Sequence, residues 1–116
     1  MSARDQDTRE IALQLIEALE AYEADIKLLC GSWLDMEHYQ SVSQQVDELR
    51  LYAAALPRVS VQWVAVLISH AELIHSLWKA RKSEAEDATS VANLLADHIA
   101  AIHLLNRAAR VLVARG

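Results

Sequence analysis

The sequence predicts an all-α protein: four helices in one antiparallel up-down-up-down bundle. Three observations point there. Helix breakers are scarce, with 2 Gly and 1 Pro in 116 residues, whereas Ala, Leu, Glu, Gln and Arg abound. Hydrophobic residues make up 53% of the chain, above the usual share, which argues against disorder. Apolar residues also recur at spacings of three and four in four successive stretches, the period of one helix face. A chain of 116 residues fits a single domain and supports a core without staples. Short connections between such helices favour the up-down order.

The first helix is expected over about residues 7–30. Ile11, Leu15, Ala18, Tyr22, Ile26 and Leu29 form its apolar stripe. Asp5, Asp7 and Glu10 lie near its start, where negative charge is favoured, and Gly31 supplies the stop. The second helix is expected over about 34–55, capped by Ser32 or Asp35. Tyr39, Val42, Val46, Leu49, Ala53 and Leu56 make a narrow seam, so this helix is the most exposed. Pro57 ends it by disfavouring helical geometry at Leu56.

The third helix, about 59–82 with Ser60 as cap, is the stretch the others are expected to surround. A polar stripe of Gln62, Ser69, Glu72, Ser76 and Lys79, with Ala65 in its gap, should face water. Nearly everything else on it is apolar, and so wide an arc needs cover from more than one side. The break before the fourth helix carries no Gly or Pro. Ser83-Glu84-Ala85-Glu86 fits a capping box; Asp87 or Thr89 as cap, or one bent helix, are the alternatives. The fourth helix is expected over about 84–114, on a main stripe of Val91, Leu95, His98, Ile102, Leu105, Ala109 and Leu112. Leu94, Ala101, Leu104, Ala108 and Val111 form a second stripe beside it. Together the third and fourth helices carry more apolar face than one bundle core absorbs, which is the mark of an interface. The expected interface residues are Trp63, Val66, Leu73, Leu77, Leu94, Leu104 and Val111, in a two-fold homodimer.

Charge and composition exclude several functions. Residues 1–58 hold 5 basic and 11 acidic side chains, whereas 59–116 hold 6 and 5. An acidic front half argues against nucleic-acid binding, which needs clustered Lys and Arg. Arg107, Arg110 and Arg115 are the one basic cluster, and they complement the dipole at a helix end. No run of about 18 apolar residues is present and the N-terminus is polar, so neither a membrane span nor a signal peptide is expected. The single cysteine, Cys30, rules out an intrachain disulfide and fits a cytoplasmic setting. Two glycines leave no phosphate-binding loop.

Chemistry would have to come from the five histidines: His38, His70, His75, His98 and His103. Glu72-Leu-Ile-His75 has the i, i+3 spacing that resembles the ligand motif of di-iron four-helix bundles. Asp35 and His38, Glu17 or Glu20, and Asp97 would complete such a set. These carboxylates fall on polar faces, however, and a buried metal needs them inside, so no cofactor is expected. His75-Ser-Leu-Trp-Lys79 also resembles the neighbourhood of the phospho-accepting His in histidine phosphotransfer domains. It departs from that pattern at Trp78, where the family carries small residues, and Lys79 comes late. His98 differs, because it lies on a core stripe and a buried imidazole needs partners for its ring nitrogens. His70, Ser69, Tyr22, Tyr39 and Tyr52 are the candidates. Cys30, at a helix C-terminus, is read as core filler, and Glu17, Glu20 and Glu23 as a solvated face.

The sequence therefore leads to a non-enzymatic helical module, homodimeric through its third and fourth helices, that binds a further protein partner. The alternative is a metal- or small-ligand-binding bundle using His70, His75 and His98.

Overall fold

The computed structural model describes residues 3–31, 35–82 and 88–115. They form four helices: α1 (Ala3–Gly31), α2 (Met36–Ala54), α3 (Ser60–Lys82) and α4 (Ala88–Arg115). A short 3₁₀ turn, Pro57–Val59, precedes α3. The helices pack as a bundle in which α1 lies against α2 and α4, and α3 lies against α4. Glu20 meets Arg110 at 3.1 Å and Glu23 meets His103 at 2.7 Å, so α1 and α4 run in opposite directions. Contact between α2 and α3 is sparse; Tyr39 and Trp78 bridge them edge-on, ring centroids 5.5 Å apart.

The helix boundaries follow from local chemistry. The Asp35 carboxylate accepts from the Glu37 amide at 3.0 Å, and Asp35 itself is extended, so it caps α2. The alternative cap, Ser32, lies outside the described residues, as does the start expected at Leu34. Gly31 is the last residue of α1 and no described glycine has a positive φ. Gly31 is thus the end of α1, as expected, without a left-handed conformation. Ser60 is not a cap either: it has helical angles (φ −60°, ψ −39°), because Pro57 has already started the turn and Ser60 N–H donates to its carbonyl. The link between α3 and α4, with the Ser83–Glu86 capping box and Asp87, lies outside the described residues, and so does the Thr89 side chain.

The core takes Ala12, Leu15, Ile16, Leu19, Tyr22, Ile26 and Leu29 from α1. From α2 it takes the predicted seam, Val42, Val46, Leu49 and Ala53, continued by Leu56. His98, Ile102, Leu105, Ala109 and Leu112 of α4 complete one wall, again along the predicted stripe.

The third helix departs from expectation. It is not enclosed by the others but forms one corner, with Trp63, Val66, Leu73 and Ile74 inward. Its polar stripe does not face water as a unit. Glu72 and Lys79 are exposed, whereas Gln62 and Ser69 are half-buried and Ser76 is buried. Those three are spaced by seven, along one edge of the helix. Short or amide side chains tolerate such a boundary; Ser69 does so by donating to the Val66 carbonyl at 3.1 Å. Among the described residues no single helix is long and apolar enough to cross a membrane. Met36–Ala54 and Pro57–Ala80 reach that length and composition only as a pair, across a 118° bend.

Candidate functional site

Two features gather the residues that composition and spacing single out. The first is a buried chain of polar side chains linking α1, α3 and α4. Tyr22 Oη lies 2.6 Å from His70 Nδ1 and 2.7 Å from His98 Nε2. Ser69 Oγ lies 2.6 Å from His98 Nδ1. The two imidazole centroids are 5.8 Å apart. Two of the partners expected for a buried His98, Tyr22 and Ser69, are thus its actual partners, and His70 joins through the phenol. Tyr39 instead packs on Trp78, and the Tyr52 hydroxyl donates to Glu48 at 3.1 Å, raising the Tyr52 pKa through that bond.

Two proton orders use each donor of this chain once. With the Ser69 hydroxyl donating to the Val66 carbonyl, Ser69 Oγ accepts from His98 Nδ1–H, and Tyr22 O–H donates to His98 Nε2 and accepts from His70 Nδ1–H. With Ser69 donating to His98 Nδ1 instead, His98 Nε2–H donates to Tyr22 Oη and Tyr22 O–H donates to His70 Nδ1. Electrostatics hold every member neutral at pH 7. Burial, with His70 adding to it, pushes the His98 pKa down to about 4. Burial also lowers that of His70 and, with a smaller contribution from Cys30, holds the Tyr22 phenol far above its ordinary value.

In the first of these orders His98 presents an N–H rather than a lone pair to Ser69 and so does not activate its hydroxyl. Nor do the two histidines offer a vacant ligand pocket, because the Tyr22 hydroxyl occupies the point at which both nitrogens aim.

Other candidate groups do not converge. Glu72 and His75 are both exposed, and no three His, Cys, Asp or Glu side chains among the described residues could hold a metal. Asp35 is spent on its cap, His38 is half-buried, Glu17 and Asp97 are exposed, and Glu20 pairs with Arg110. Glu23 accepts from Lys27 at 2.9 Å as well as from His103. Partial burial works to raise the Glu23 pKa, but these two bonds outweigh it and the net shift is downward. Burial pushes the Cys30 thiol up to about 11, so it is no nucleophile.

The second feature is an apolar face shared by α3 and α4. Val61, Ile68, Leu104 and Val111 are 77%, 55%, 54% and 46% exposed. Val61, Leu104 and Val111 line a cleft of about 450 Å³ together with Ala65, Ala101, Ala108, Gln62 and Arg107. The Gln62 side-chain oxygen is buried there without a hydrogen-bond partner. The expected interface set is redistributed. Leu104 and Val111 are exposed, Leu77 and Leu94 are half-buried, and Trp63, Val66 and Leu73 are buried inside the chain. The reason is the width of the α3 arc: the bundle takes one part of it, and Val61, Val64 and Ile68 remain outside. Those three are the surface residues that spacing alone missed; only the phase of α3 relative to α4 identifies them. No family model, curated protein or solved structure matches this chain.

Proposed function

We propose that the protein is a non-enzymatic helical interaction module that self-associates through the outer face of α3 and α4. One observation carries the reading: the strip of large exposed apolar side chains Val61, Ile68, Leu104 and Val111, of which Val61, Leu104 and Val111 line a cleft that also holds three alanines. Single exposed hydrophobic residues are ordinary on a protein surface, but a contiguous strip across two helices is characteristic of an interface. Alanines at its centre allow close helix approach. The buried Tyr22–His98 chain supports the face from behind, by holding α3 in register with α4. A cytoplasmic setting belongs to the same proposal, in keeping with a single cysteine that has no disulfide partner.

Sedimentation equilibrium at micromolar concentration tests it. The native chain, 12.9 kDa, should sediment at twice that mass. Leu104→Glu should sediment as a monomer with unchanged helicity, because Leu104 is exposed in the single chain. A native chain that stays monomeric would remove the proposal.

A further inference from the structure

The apolar face is charged unequally at its two ends, and this defines how a second copy would sit on it. Ser69 and His98 are hydrogen-bonded, so they mark a common level on α3 and α4. Glu72 lies three residues beyond that level on α3, and Asp97 lies next to it on α4. In the other direction, towards the Val61 end, Arg107 lines the cleft. Glu72, Asp97 and Arg107 are all exposed, and among the described residues none has a hydrogen bond or ion pair. From the helical rise, the acidic and basic ends stand about 15–18 Å apart along the axis. Midway between them lie the small side chains of Ala65 and Ala101.

We infer that two copies dock face to face about a two-fold axis at the level of Ala65 and Ala101, perpendicular to the helices. Each protomer's Glu72 and Asp97 then meet the partner's Arg107. The inference rests on the self-association proposed above and adds its symmetry, register and polarity. The rotation inverts levels while keeping α4 over α4, so Asp97 comes opposite the partner's Arg107 and Glu72 flanks it. It sets Ile68 near the partner's Val61 and Val64, apolar against apolar. A two-fold axis parallel to the helices would instead put each charge level with its own kind in the partner. Charge complementarity thus selects the inverted arrangement and a second copy as occupant. The polar ends form a rim around an apolar centre, the usual anatomy of such contacts.

A charge-complementation experiment decides the matter. Arg107→Glu gives a chain whose two ends are both acidic. The double variant Glu72→Lys with Asp97→Lys gives one whose ends are both basic. Each alone should dimerise at least about tenfold more weakly than the native chain, and an equimolar mixture should recover native-like association as a heterodimer. All three positions are exposed, so circular dichroism should show helicity unchanged in each variant. Arg107→Gln, which removes the charge without repulsion, should weaken association less and flatten its dependence on salt. A native dimer whose reversed variants associate as well as it does would overturn this register while leaving self-association standing. So would reversed variants that weaken but fail to combine. A monomeric native chain would remove both.

Discussion

Tyr22 stands between two imidazoles, and its hydroxyl serves both. Tyr22→Phe keeps the ring and removes that oxygen, stranding His98 Nε2 in the core. The expected cost is about 1–3 kcal/mol, read as a lower urea midpoint. Adding His98→Leu to it should cost less than the two single changes combined, because the stranded nitrogen goes too. Protonation has a definite sign here. The unfolded imidazole titrates near 6.5 and buried His98 near 4, so the unfolded chain binds more protons between those values. Stability is therefore full above the unfolded pKa and falls as pH falls through this window, by about 3 kcal/mol at most. Half-buried His70 contributes in the same direction. Urea titrations from about pH 7.5 to about pH 5 should show this slope, and His98→Leu should flatten it. That His98 needs polar partners was legible, because its stripe position required burial; of five candidates the structure selects Tyr22 and Ser69. The role of Tyr22 as a bridge was not, since it depends on how α1 sits across α3 and α4.

The helices differ in how well their faces could be read. The α2 seam, Val42, Val46, Leu49 and Ala53, is buried as its spacing implies, because polar residues bound it on both sides. On α3 the apolar residues run most of the way round, and periodicity cannot say which part of so wide an arc turns inward. Neighbouring helices decide it: Trp63 and Val66 turn into the core, and His98 of α4 holds Ser69. Gly31 gives a test at this scale. It ends α1 without a positive φ, and a Cβ built there meets nothing within 4 Å. Gly31→Ala should therefore stabilise the chain by about 0.4–1 kcal/mol, seen as a raised Tm. A left-handed stop at that position would give the opposite sign.

In the whole molecule the helices are not equally secured. α1 and α4 pack along each other and are tied by Glu20–Arg110 and Glu23–His103, while α4 also holds α3. α2 leans chiefly on α1. Native-state hydrogen exchange should find the slowest amides in α1 and α4. Those of α2 should exchange through an opening of lower free energy than global unfolding. Equal protection in all four helices would contradict this packing hierarchy. The sequence suggested a different hierarchy, with the third helix enclosed, because hydrophobic content was read as depth. Part of that content lies on the surface instead, as Val61, Val64 and Ile68.

The edge-on contact of Tyr39 with Trp78 joins α2 to α3 where little else does. It makes Trp78 a native fluorophore for the least secured helix. If α2 lifts away before the rest opens, indole emission should shift at denaturant concentrations that leave most of the ellipticity intact. Tyr39→Ala should move that optical transition earlier and leave the main one nearly in place.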